Sequence, residues 1–213
     1  MNDLTAGTVR RMVQRGDASD DLVHAALAEG LAAVDTETTG LDPSTARLCT
    51  IQIHVPGWGT EVVQLRDGSP PSRVIELVTA QQVVKIFHHA VFDLSFLHAE
   101  YGVAAASVKC TKVAAKILWP HQKERQSLAA LSRDVLGVPM EKEQRMSDWT
   151  RSHLSPAQVA YAARDAEVLP LLLPHLTQML SAADLLNLAT RCWTHIPLRV
   201  ELEQRGLGDV FSY

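Results

Sequence analysis

Asp35 and Glu37 stand two residues apart at the end of the apolar run Leu31-Ala32-Ala33-Val34. In an extended strand that spacing puts both side chains on one face. Adjacent carboxylates repel, and partial burial makes their charged forms costlier still. A hard divalent cation, which takes oxygen ligands, is the simplest compensation. Taken alone, Asp-Thr-Glu serves equally well as a solvated strand end, because short motifs recur by chance. Asp93 falls in the first turn of a helix expected after a buried strand, where an acid also simply favours the helix dipole. Its neighbours Phe92, Leu94, Phe96 and Leu97 read as core. Tyr161 and Asp165 are four apart and share one helical face. Tyr161 also fits a core position with its hydroxyl at the rim, and Asp165 could pair with Arg164 or Arg151. Glu167 lies on a different helical face and stays outside the set. Together the four acids are more specific. Four carboxylates suit two divalent ions about 4 Å apart, the arrangement for in-line attack on phosphorus, with one ion at the water and one at the leaving oxygen. A phenol beside them can hold that water.

The elements that must position these groups follow from patterning. Residues 20–29 form a short helix closed by Gly30. Residues 31–37, 47–55 and 61–65 read as strands, with the turn PGWGT at 56–60, so an antiparallel meander is expected. A helix over about 72–80, a buried strand at 83–89, a helix at 90–102 and a short strand at 107–110 come next. Helices are expected near 111–118, 126–136, 155–169 and 182–192. Pro170 and Pro174 interrupt VLPLLLPHL, so a kink or break is expected at 169–174. The sum is an α/β fold, a mixed five-stranded sheet flanked by helices with a helical C-terminal part. One domain is expected over 1–198, with a partly ordered tail at 199–213.

The 213 residues, 46% hydrophobic and 21% charged, suit one globular domain. No apolar run reaches the roughly 18 residues needed to cross a bilayer, and residues 1–17 lack the apolar core of a secretory signal. The formal charge of −4 argues against a strongly basic surface for long nucleic acid. It favours short substrates, since few phosphate contacts need little basic track. It leaves a nucleic-acid enzyme open, because bound cations can bring positive charge to the site. Cys49, Cys110 and Cys192 are widely spaced, without a CxxC pair, so a reducing cytoplasm is the expected location.

From about Leu31 to Leu173 the sequence resembles the DEDD-type 3′-5′ exonucleases of the ribonuclease D branch. Asp35-Thr36-Glu37-Thr38-Thr39-Gly40-Leu41 matches the first motif, Ile86-Phe87-His88-His89-Ala90-Val91-Phe92-Asp93 the second and Tyr161-Ala162-Ala163-Arg164-Asp165 the third. A tyrosine four before the last aspartate marks the tyrosine subclass, and residues 142–149 resemble the segment before the third motif. The resemblance implies a ribonuclease-H-like fold. It implies two Mg²⁺ or Mn²⁺ ions held by Asp35, Glu37, Asp93 and Asp165, with Tyr161 orienting the attacking water. It further implies that Leu41 wedges between terminal bases, that Thr38 meets the terminal nucleotide and that His89 reaches a phosphate. For Leu41 an inward-packed position, and for His89 a core position, stand as alternatives. His89 replaces the usual asparagine, and Cys110-Thr111-Lys112 stands where that branch often has Asp-Thr. These departures, the length and the C-terminal residues look like the small nano-RNase C type, oligomeric enzymes acting on dinucleotides. The implied function is a 3′-5′ exoribonuclease on RNA or short oligoribonucleotides, without a membrane partner and as a homo-oligomer. A DNA exonuclease and a non-catalytic nucleic-acid-binding module are the alternatives. Lys123, Arg125, Arg133, Lys142, Arg145 and Arg151 could face phosphates or simply be solvated among neighbouring acids.

Overall fold

The acid-bearing run 31–38 lies inside a sheet, paired on both sides. The computed structural model describes residues 9–66, 69–140, 144 and 146–212. Among them six strands form one sheet: β1 (Arg11–Arg15), β2 (Leu31–Thr38), β3 (Leu48–Val55), β4 (Gly59–Gln64), β5 (Val84–Phe87) and β6 (Val108–Cys110). Their spatial order is β1-β4-β3-β2-β5-β6. The expected meander β2-β3-β4 is antiparallel. β5 and β6 continue it in parallel from β2, and β1 adds in parallel to β4.

Among the described residues eight α-helices flank the sheet: α1 (Asp20–Glu29), α2 (Ser72–Thr79), α3 (Ala90–Tyr101), α4 (Thr111–Leu118), α5 (Leu128–Leu136), α6 (Pro156–Glu167), α7 (Leu169–Ala182) and α8 (Leu186–Gln204). Local chemistry sets their ends. Ser19 accepts from the Leu22 N–H to start α1. Ser155 and Gln158 form a reciprocal capping box at α6, with Pro156 in the first turn. Ile51, Ile53, Ile86, Phe87, Leu97, Leu169 and Leu172 are fully buried between sheet and helices. Trp193 of α8 donates from Nε1 to the Cys110 carbonyl at 3.0 Å, pinning α8 to β6.

Three expectations change. The sheet has six strands, not five. β1, Arg-Met-Val-Gln-Arg, is an edge strand whose residues alternate between exposed and half-buried, so it lacks the apolar run that marks a core strand. Its close approach to β4 depends on Gly59 (φ +133°), where a Cβ would stand 2.5 Å from the Arg10 carbonyl oxygen. The break expected at 169–174 falls just earlier, at Val168. Pro170 then occupies the first turn of α7, where the missing N–H costs nothing, and Pro174 lies inside that helix. The helix expected at 182–192 runs instead from Leu186 to Gln204, so residues 199–204 are its last turns and Val200 is buried. Trp193, Ile196 and Val200 repeat at helical spacing, a signal that the tail reading overlooked.

Candidate active site

β2 delivers Asp35 opposite Gln52 and Glu37 opposite Thr50 of β3. On that shared face Gln52 donates to Thr50 Oγ1 at 2.6 Å. The register shifts between Glu37 and Thr38, so the strand is re-aimed just where the acids end. α6 crosses the sheet on Ala162, Ala163 and Ala166, all fully buried. It brings Asp165 to Asp35 and Glu37, and one carboxylate oxygen from each lies within 4.8 Å of the others. Asp93 is outside that trio. It is buried at 3% exposure, and its Oδ1 accepts from Thr36 Oγ1 at 2.6 Å. It nonetheless lines the same cavity of about 300 Å³, together with Asp35, Glu37, Asp165 and Tyr161.

The electrostatics are those of crowded, desolvated acids. Burial pushes the Asp35 carboxyl well above the usual range, and repulsion from Asp93, Asp165 and Glu37 pushes it further. Burial lifts Asp93 to about 7, against the lowering effect of the Thr36 hydrogen bond. It lifts Asp165 to about 7 as well, tempered by a hydrogen bond from Tyr161. Tyr161 is pushed up by burial and then by Asp165, Glu37 and Asp35, so its phenol stays protonated. A set of hard carboxylate oxygens held this close, with the three aspartates resisting ionisation, fits a divalent cation, whose charge would reverse those shifts.

A second cavity of about 830 Å³ lies beside the acids, lined by the loop Thr36–Leu41 and by Met146–Thr150. Leu41 stands 83% exposed at its rim, so the inward-packed alternative does not hold. The Thr38 hydroxyl donates to the Gly40 carbonyl at 2.6 Å, which shapes the loop. His89 lines both cavities and stacks on Phe92 at 5.8 Å. Partial burial and the charges of Lys112 and Lys116 push its imidazole down to about 4. His88 is a core histidine, its Nδ1 2.9 Å from Thr111 Oγ1. Two residues at the cavities were not among the expected site residues. Phe92, read as core, lines both cavities, as does Lys112, whose only signal was its place after the last strand. Of the basic stretch, Arg125 stacks over Trp119. Arg133 pairs with Asp134 and Arg151 with Asp148. Lys142 and Arg145 lie outside the described residues.

Comparison with known proteins agrees with this geometry. A family model described as 3′-5′ exonuclease matches residues 10–181. DNA polymerase I of Aquifex aeolicus is 33% identical over 151 residues, 71% of this chain and 24% of that protein. Ribonuclease D of Jannaschia sp. is 31% identical over 155 residues, 71% of this chain and 40% of that protein. The chain thus spans less than half the length of these curated relatives. The solved structure of Brucella melitensis NrnC bound to pGG is 31% identical with a TM-score of 0.88, covering 97% of this chain and 100% of that one. The same protein has also been solved with bound Mg²⁺. The expected ribonuclease-H-like fold therefore holds, with β1 added.

Proposed function

The chain belongs to the 3′-5′ exonuclease family, and on that premise we propose that it is a metal-dependent 3′-5′ exoribonuclease releasing 5′-nucleoside monophosphates from RNA or short oligoribonucleotides. The observation that carries this reading is the convergence of Asp35, Glu37 and Asp165 oxygens within 4.8 Å, with Asp93 on the same cavity. These four acids would hold two Mg²⁺ or Mn²⁺ ions, which when bound supply the positive charge that favours attack at phosphorus. Tyr161, kept protonated and donating to Asp165, would orient a water at the reacting phosphate through its phenol oxygen, which accepts from that water. Leu41 and Phe92 offer apolar faces to the terminal bases at the larger cavity. Thr38 contacts the terminal nucleotide there, and His89, held neutral, donates to a phosphate oxygen.

The pGG seen on the similar B. melitensis protein and the net charge of −4 support short substrates. The similarity to a DNA polymerase I supports a second reading, the same chemistry on DNA. No helix among the described residues is long and apolar enough to cross a membrane. The free cysteines Cys49, Cys110 and Cys192 suit the cytoplasm. Leu207, Val210 and Phe211, exposed beyond α8, support a homo-oligomer. Light scattering on a chain ending at Gly206 should then give a smaller mass, and an unchanged mass would refute it.

The test of function is digestion of 5′-labelled di-, hepta- and longer oligoribonucleotides and matched DNA, with Mg²⁺, Mn²⁺ or EDTA. Metal-dependent release of mononucleotides from RNA, fastest on the dinucleotide, is expected. Equal use of DNA would favour the second reading. Failure to cleave either polymer with metal bound would overturn both.

A further inference from the structure

Arg11 of β1 and Glu167, the last residue of α6, form a two-point ion pair. Arg11 Nε donates to Oε1 at 2.7 Å and Nη2 to Oε2 at 2.6 Å. The Glu167 side chain is only 5% exposed. Thr60 Oγ1 donates to the same Oε1 at 3.1 Å, and His54 Nδ1 lies 2.9 Å from that hydroxyl. One carboxylate thus ties the end of α6 to β1 and β4, and through Thr60 to β3. Asp165 is two residues earlier on this helix and Tyr161 six.

We propose that β1 acts as a strap: the Arg11–Glu167 pair sets the position of α6, and thereby how tightly Asp165, Asp35 and Glu37 hold a divalent cation. The inference rests on the exonuclease reading of those carboxylates. Two observations carry it. The first is mechanical. Asp165 comes from α6 and its partners Asp35 and Glu37 from β2, with one oxygen of each within 4.8 Å of the others, so this ligand set closes only when α6 is seated correctly on the sheet. The second is the helix face itself. α6 meets the sheet chiefly through Ala162, Ala163 and Ala166, with Val159 and Tyr161 half-buried beside them, and short alanine side chains interlock little with the sheet, so they define tilt and slide weakly. Its placement therefore falls to its ends. At the start, Gln158 donates to Ser147 Oγ and the Asp148 carbonyl. At the finish there is Arg11. A buried ion pair is weak as a source of stability alone, whereas a planar two-point contact fixes orientation. Glu167 and Arg11 are positioning residues in this scheme and touch no reacting atom.

The test is Mn²⁺ binding by calorimetry without substrate, on wild type, Glu167→Gln, Arg11→Lys and Gly59→Ala. Gly59→Ala leaves both partners in place but pushes β1 off β4. All three should bind Mn²⁺ about tenfold or more weaker, the scale seen when a group supporting metal ligands is lost. At saturating metal, the KM for RNA should stay at the wild-type value. The swap Arg11→Glu/Glu167→Arg should recover most of the affinity. Folded variants, judged by circular dichroism, that bind Mn²⁺ like wild type would overturn the strap. Arg11→Lys keeps the charge, so it keeps the test open if Glu167→Gln does not fold. A wild-type protein that binds no Mn²⁺ would instead remove the exonuclease reading on which the strap depends.

Discussion

Asp165 and Glu167 are two residues apart on one helix and meet opposite surroundings. Glu167 turns to the β1 side, where Arg11 grips both its oxygens and Thr60 adds a hydroxyl. Glu61, nearby on β4 and fully buried, is likewise answered, by the Ser19 N–H, the Ser19 hydroxyl and Gln14. Asp165 turns to the β2 side and finds Tyr161 and then other acids, and its carboxyl is held at about 7. Burial is common to both regions, so burial alone does not mark a site. The difference is whether the protein supplies the compensating donors. Where it does, the acid serves the fold. Where acids face acids, the compensation has to come from outside, and a divalent cation is the ligand that fits.

The sharpest way to break this contrast is to remove charge from each region in turn. Asp35→Ala and Asp165→Asn should abolish RNA hydrolysis, a loss of at least about 10³-fold, on the scale of removing a preorganised charge from a reaction centre. Both should keep the fold by circular dichroism. Full activity in either would sink the four-carboxylate site. Glu167→Gln should show the converse balance, weakening the fold by about 2–3 kcal/mol because Arg11 loses its buried partner, while an excess of metal keeps hydrolysis running. Chemical denaturation beside a metal-saturated digestion assay separates the two. Next in size is Tyr161→Phe. It removes the water-orienting hydroxyl and should slow hydrolysis about 10²-fold, near the lower end of proton-transfer and water-positioning effects. Mn²⁺ affinity should be kept, since the acids remain, and loss of Mn²⁺ binding would mean the hydroxyl serves the metal ligands instead.

A smaller effect comes from the pH dependence of the acids in EDTA. Asp165 titrates near 3.8 unfolded and is held at about 7 when folded. Its folded pKa is the higher one, so the folded state binds the extra proton between these values. Its cost to stability is therefore absent below about 3.8 and complete above about 7. At 1.36 kcal/mol per unit, and discounting for residual solvent, the cost is on the order of 2 kcal/mol. Asp165→Asn lacks this cost. In EDTA it should melt roughly 4–8 °C above wild type at pH 7.5, with the gap closing toward pH 4. Mg²⁺ should close it from the other side by stabilising wild type. A gap independent of pH would mean that burial does not hold Asp165 protonated.

Much of this contrast is legible in the chain. The period-two spacing of Asp35 and Glu37 and the period-four spacing of Tyr161 and Asp165 each specify a shared face, and the folded sheet and α6 join those faces. The same helical arithmetic sets Glu167 apart from Asp165. Its partner was illegible, because Arg11 lies in a strand with polar alternation at the sheet edge, 156 residues away. Edge strands bury little, so their signal is weak. Lys112 and Phe92 were missed for a related reason. Each sits at an element end whose local pattern reads as ordinary helix start, and only tertiary packing opens both to the cavities. The C-terminal helix was expected to stop at 192, whereas α8 continues to Gln204 with Pro197 inside it.

The smallest expected effect tests the rim rather than the acids. Leu41 is 83% exposed at the edge of the larger cavity and touches neither acidic region. Exposed side chains of this kind change stability by less than about 0.5 kcal/mol when truncated, so Leu41→Ala should melt like wild type. If the side chain lies against the terminal bases, its loss removes stacking area of the sort worth about 1–3 kcal/mol per base. The lower figure corresponds to about a fivefold rise in KM for a dinucleotide. Mn²⁺ affinity without substrate should be unchanged, because no ligand oxygen moves. The three readouts together separate a substrate contact from a structural or a metal-supporting residue. A KM equal to wild type would leave Leu41 as an exposed loop residue and pass base recognition to Phe92, an apolar side chain that lines both cavities.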